Sequence, residues 1–376
     1  MQLRRITTGS NWLPELDGLR FVAIAIVLLT HVFGHMWAHG FQDKKYLPLF
    51  GAMSNNDLAV PLFFVISGFI LARPFVRAYQ QGGKPVKLGA YYMRRVTRLE
   101  PPYILSLLLY LLALIIQHKR DMHLTYLSLL TSVFYVHNFF SFLPAINLVT
   151  WSLEVEIQFY IVAPLLWQLF RIQNRVTRRG VIVALIAFLS LLPTEGADHV
   201  GFFLGRSISF FVIGGLLADL HIDQRPKMSS HWWDPVCLVL LPTFLLWNST
   251  GFASHTVYYK PMQCLTLFCG FSISMFSPTM RRLLAVRWIA ILGGMCYSLY
   301  LMHMMVLSFV FPVVARLLKF QSLYANYLLC LAIMLPAIVL VAGTYYVLIE
   351  RPCMDPEWPR KLMARFRKTE QSVSTV

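Results

Sequence analysis

Apolar residues run along this chain in long blocks, separated by short gaps that are mostly basic. The blocks fall at 20–38, 57–77, 99–117, 125–143, 154–170, 181–193, 201–220, 234–249, 258–277, 289–315 and 323–349. Several approach the roughly 20 residues that span a bilayer as a helix. None alternates with the period of two that marks a barrel strand. Lipid leaves the backbone only those two solutions, because every peptide group must be satisfied internally. The predicted fold is all-α, a polytopic transmembrane helix bundle.

The gaps orient the blocks. Residues 73–98 hold Arg73, Arg77, Lys84, Lys87, Arg94, Arg95 and Arg98 and no acid. Residues 171–180 hold Arg171, Arg175, Arg178 and Arg179, and residues 278–288 hold Arg281, Arg282 and Arg287. Arg4, Arg5 and a basic tail mark the two ends. Basic gaps of this kind stay on the cytoplasmic side. An even number of crossings must then separate 73–98 from 171–180, yet three blocks lie between them. The weakest is interrupted by His137, Asn138, Pro144 and Asn147. It is expected to re-enter or lie at the interface without crossing. The result is about ten crossings with both termini cytoplasmic. Residues 1–352 form the membrane domain and 353–376 a basic cytoplasmic tail. The first block is too long for a cleaved signal peptide, so it reads as a retained helix; a multi-pass location in the cell (inner) membrane is expected.

Composition agrees. The chain is 57% hydrophobic and 13% charged, against about a quarter charged in soluble domains. The net charge of +16 would suggest nucleic acid in a soluble protein. Here most of it is topological, no nucleic-acid partner is expected, and the remainder is available for an anionic ligand. The six cysteines, Cys237, Cys264, Cys269, Cys296, Cys330 and Cys353, lack metal-ligand spacing and read as small buried hydrophobes. No metal is expected.

Ionisable groups inside a span are functional candidates. Arg20 and His31 are eleven residues apart, about three helical turns, so they share a face across a rise of about 16 Å. A neutral imidazole near the bilayer midplane is a competent general base; a structural histidine bonded to a neighbouring helix is the other reading. Arg94, Arg95 and Arg98 form one basic helical face, with forks suited to phosphate, or else an ordinary topological gap. Pro101-Pro102 marks a helix start or kink. Ser152, Glu156 and Tyr160 share a face at i, i+4, i+8, although a glutamate there can also be no more than a helix cap. Tyr300 and His303 lie one turn apart in an apolar block. Ser67-Gly68 suits close helix packing.

Taken in order, LDGLR…H, PLFFVISGF, RRVTR followed by Pro-Tyr, WSLEVEIQFY, YSLYLMH and a closing ERP resemble the acyltransferase-3 family over about residues 14–352. The resemblance implies a membrane O-acyltransferase that moves an acyl group, acetyl above all, from cytoplasmic acyl-CoA to a hydroxyl of a carbohydrate or glycolipid. It implies His31, Glu156, Tyr300 and His303 as catalytic candidates and Arg20, Arg94, Arg95 and Arg98 as donor-binding candidates. Ser67, His137, Trp151 and Ser152 are candidates for substrate contact. Tyr300, Ser67 and His303 are each candidates to donate to the developing oxyanion. Glu154 departs from the family pattern, where a neutral residue is expected. The hydrolase-like domain that some members carry is not seen, which suggests that the membrane domain completes the transfer alone. Acyl-CoA, a sugar acceptor and membrane lipids are the expected partners. The competing class is a proton-coupled transporter, with the same residues as an ion path; no internal repeat supports it.

Overall fold

The computed structural model describes residues 12–41, 58–117, 122–140, 146–192, 203–228, 230–236, 258–355, 357–359 and 361. Twelve α-helices longer than one turn occur among the described residues. They are α1 (Pro14–Ala38), α2 (Ala59–Gln80), α3 (Leu88–Gln117), α4 (Met122–Val133), α5 (Trp151–Leu166), α6 (Arg175–Leu191), α7 (Phe203–Met228), α8 (Tyr259–Phe276), α9 (Pro278–Leu284), α10 (Arg287–Gly294), α11 (Cys296–Ala315) and α12 (Leu323–Tyr345). A π-helical turn, Tyr346–Glu350, extends α12. No strand occurs among the described residues. Seven helices, α1, α2, α3, α5, α7, α11 and α12, are long and apolar enough to cross a membrane. The chain is a multi-pass helical membrane protein. The expected span 234–249 lies almost wholly outside the described residues.

Helix α4 has 12 residues, about 18 Å at 1.5 Å per residue, which is too short for a hydrocarbon core of about 30 Å. The chain then turns through Tyr135, which has a positive φ of 57°, into a 3₁₀ turn at His137–Phe139. This is the segment expected not to cross. Asn138 N donates to Glu154 at 2.9 Å and its side chain donates to Trp151 O at 3.0 Å. Asn147 donates to Leu301 O at 3.3 Å. Glu154, the departure from the family pattern, is therefore a buried tether for irregular backbone.

Three sequence expectations change. The basic gap 73–98 is mostly helix: α2 runs to Gln80 and α3 starts at Leu88, leaving a loop of only 81–87. Of the two readings of Pro101-Pro102, the helix start is excluded, because both prolines sit inside α3. The block 289–315 breaks at Met295 into α10 and α11. The break is stabilised from outside. Glu350, on the π-helical turn, accepts from Ser298 N at 3.0 Å and also from Ser298 Oγ, satisfying the first turn of α11 as a cap would.

Helices α2 and α7 cross with backbones in contact. A Cβ built on Gly68 would overlap Phe211 O, and one on Gly214 would overlap Val65 O. Phe159 stacks on Phe211 with centroids 3.8 Å apart, locking α5 against the same pair. Between α6 and α7, Arg178 and Asp219 form a buried ion pair at 2.9 Å, and Arg179 bridges Asp219 and Asp223 at 2.7 and 2.9 Å. Much of the charge of the 171–180 gap is thus paired.

Candidate active site

A cavity of about 480 Å³ opens between α1, α2, α3, α5 and α11. Arg20, Arg94, Arg95 and Arg98 line it, together with Ser67, Ser152, Glu156, Tyr160, Tyr300 and Glu350. Helical spacing explains the convergence. Ser152, Glu156 and Tyr160 lie on one face of α5, and the three α3 arginines cluster within about one turn of one face. Four arginines line it against two glutamates, and with Asp17 paired to Arg20 the formal charge around the cavity is still positive. Arg20 is paired with Asp17, which also accepts from Trp12 Nε1 at 2.8 Å. Arg95 lies over the Tyr91 ring at 3.6 Å and near that of Tyr160 at 5.4 Å, an arrangement that stabilises a cation on aromatic faces. Arg98 Nε is a buried donor with no hydrogen-bond partner among the described residues.

Glu156 gathers hydroxyls from two helices. Ser67 Oγ donates to Glu156 Oε1, and Tyr160 OH donates to the same oxygen at 2.5 Å. Tyr300 OH donates to Val149 O at 2.5 Å, so in its contact with Ser152 Oγ at 2.7 Å it accepts.

His31 and His303 do not line this cavity. Tyr300 connects them to it, its ring 5.8 Å from that of His303 and 6.3 Å from that of Phe63. His303, fully buried, meets Leu299 O through Nδ1 at 3.1 Å and His31 Nδ1 through Nε2 at 3.1 Å. A carbonyl only accepts, so His303 Nδ1 carries hydrogen. In the neutral ring Nε2 then accepts, and His31 Nδ1 donates to it. The remaining nitrogen, His31 Nε2, holds the lone pair of a base.

The three expected oxyanion donors are otherwise committed in this conformation. Ser67 donates to Glu156, Tyr300 to Val149 and His303 Nδ1 to Leu299. His137 and Trp151 do not line the cavity; they belong to the tethered segment and the start of α5. Asp17, Phe63 and the capping role of Glu350 join the site only in the structure. Acids beside Arg20 were a signal for Asp17; no signal linked Glu350 to Ser298.

The sequence profile described as an acyltransferase domain matches residues 13–347. The chain belongs to the acyltransferase-3 family. It is 26% identical to a predicted O-acetyltransferase of Staphylococcus aureus (strain COL), over 80% of this chain and 51% of that one. It is 24% identical to a predicted peptidoglycan O-acetyltransferase of Bacillus subtilis (strain 168), YrhL, over 82% and 50%. It is 25% identical to the O-acetyltransferase OatA of Staphylococcus aureus (strain NCTC 8325 / PS 47), over 80% and 51%. The chain spans about half the length of these curated relatives. No solved structure gives a significant match.

Proposed function

We propose that this protein is a membrane O-acetyltransferase that takes its acetyl group from acetyl-CoA and passes it to a carbohydrate hydroxyl, with His31 as general base. The observation that carries the reading is a single cavity that collects four arginines and reaches Tyr300, which in turn touches the His303–His31 pair. Coenzyme A bears several phosphate charges, and arginine forks suit them. Arg94, Arg95 and Arg98 hold the phosphates, and the orphaned Nε of Arg98 gains a partner. The thioester arm extends toward Tyr300. Its passage to His31 requires the Tyr300 and Phe63 rings to part.

His31 Nε2 takes the proton of the acceptor hydroxyl as its oxygen attacks the thioester carbonyl. The tetrahedral intermediate collapses with cleavage of the carbon–sulfur bond. The leaving thiolate takes the proton from the imidazolium, so an ester and free coenzyme A are formed and His31 is regenerated. General-base assistance of this kind contributes about 10²–10⁴-fold. Rotation of Tyr300 away from Val149 O frees its hydroxyl to stabilise the oxyanion. The printed name of the Bacillus subtilis relative makes peptidoglycan fragments the first acceptors to try; the basic gaps make the cell membrane, with the arginine face cytoplasmic, the expected location.

The test is calorimetric titration of acetyl-CoA into the protein in nanodiscs, followed by mass spectrometry of peptidoglycan fragments incubated with both. Binding that is lost in Arg95→Ala/Arg98→Ala, with a gain of one acetyl on the sugar, supports the reading. A folded wild type that binds no coenzyme A thioester overturns it.

A further inference from the structure

Pro101 and Pro102 interrupt the hydrogen-bond ladder of α3 directly after its arginine turn. In an unbroken helix the amide of residue 101 donates to the carbonyl of residue 97, and proline has no amide hydrogen to give. The indole of Trp358 occupies this place, its Nε1 donating to Thr97 O at 2.8 Å. Other carbonyls of the turn also draw on distant donors. Tyr297 OH donates to Leu99 O at 3.0 Å, and Tyr345 OH donates to Pro102 O. Thr97 lies between Arg95 and Arg98 and itself lines the arginine cavity.

Trp358 comes from the segment that follows α12, beyond residues 13–347 matched by the family profile. That segment has its own local order. Trp358 N donates to Asp355 O at 3.1 Å, Glu357 N to Asp355 Oδ1 at 2.9 Å, and Lys361 Nζ to Asp355 Oδ2 at 2.6 Å. It therefore presents the indole from a small folded turn.

We infer that Trp358 is a positioning residue for donor binding, replacing the hydrogen bond that Pro101 cannot make and so fixing the α3 turn that aims Arg94, Arg95 and Arg98 into the cavity. The inference rests on the donor reading above. The prolines loosen this turn, and the indole restores its geometry from outside the helix. The arginine forks bind phosphate bidentately only when that geometry holds.

Full-length protein in nanodiscs is titrated with acetyl-CoA as wild type, Trp358→Phe, Pro101→Ala and the double variant, with thermal unfolding as the folding control. Trp358→Phe keeps an aromatic ring and removes the donor. It is expected to weaken binding about fivefold, the scale of one lost hydrogen bond. Pro101→Ala returns an amide hydrogen to residue 101, so the double variant regains affinity toward wild type. A merely packing role for the indole has no such rescue. Wild-type affinity in Trp358→Phe, or a double variant as weak as Trp358→Phe, overturns the inference. A folded wild type that binds no acetyl-CoA defeats the donor reading itself, and this inference with it.

Discussion

His303 Nε2 stands 3.1 Å from His31 Nδ1, joining α11 to α1 across 272 residues of sequence. Leu299 O fixes the hydrogen on the far side of the His303 ring. The contact places hydrogen on His31 Nδ1 and leaves its Nε2 as the acceptor, and His31 also makes a backbone hydrogen bond with Val27. His303→Leu removes this orientation without touching the arginines. The expected outcome is an acetyl-transfer rate lower by roughly fivefold, on the scale of one hydrogen bond, with acetyl-CoA affinity unchanged. Single-turnover kinetics beside a binding titration check it.

Arg98 and Arg175 both come from basic gaps in the sequence, yet their surroundings differ. Arg98 lines the cavity with an unpartnered Nε, whereas Arg175 is largely exposed and pairs with Asp223 at 3.2 Å. Arg98→Gln is expected to weaken acetyl-CoA binding by about tenfold or more, since hydrogen bonds to charged groups contribute roughly 1.5–3 kcal/mol. Arg175→Gln leaves affinity as it is. Raising the salt concentration weakens wild-type binding more than that of Arg98→Gln, because screening acts on the lost charge. Titrations at two ionic strengths check both statements.

Glu350 holds the first turn of α11, its carboxylate accepting from both N and Oγ of Ser298. Tyr300 and His303 follow on the same helix. Glu350→Ala leaves that turn uncapped and lets Tyr300 and His303 shift. The expected outcome is a lower transfer rate and a lower unfolding temperature, since a lost cap destabilises by about 1 kcal/mol. Glu350→Gln, which keeps one acceptor oxygen, falls between wild type and Glu350→Ala. Rates and melting curves on the three proteins check the order.

Gly214 sits where the backbone of α7 meets that of α2, and a Cβ there would overlap Val65 O. Gly214→Val forces the helices apart. Overpacking of this kind destabilises by about 1–3 kcal/mol, so the expected result is a lower unfolding temperature and less folded protein. Gly270, with nothing near its missing Cβ, tolerates alanine. Detergent melting curves on both variants check the contrast.

Local physics made part of this legible in the sequence. Block length and the basic gaps imply a helical bundle, and helical spacing puts Ser152, Glu156 and Tyr160 on one face. The gaps 73–98 and 171–180 were harder to read, because an arginine-rich turn is as helical as an apolar one. The break at Met295 had only the Gly293-Gly294 pair as a signal, inside a block that hydropathy reads as continuous. The His31–His303 contact and the Glu350 cap join residues far apart in the chain, and spacing along one helix carries no information about them. The same holds for Trp358 and Thr97, although the missing amide of Pro101 marks a carbonyl in need of a donor.

The most direct test of His31 as the base compares wild type with His31→Gln in nanodiscs, measuring acetyl-CoA affinity and acceptor-dependent release of free coenzyme A thiol on the same samples. With His31 as the base, affinity is unchanged and the release rate falls by about 10²-fold or more. A His31→Gln protein that binds acetyl-CoA and releases thiol at the wild-type rate would contradict it.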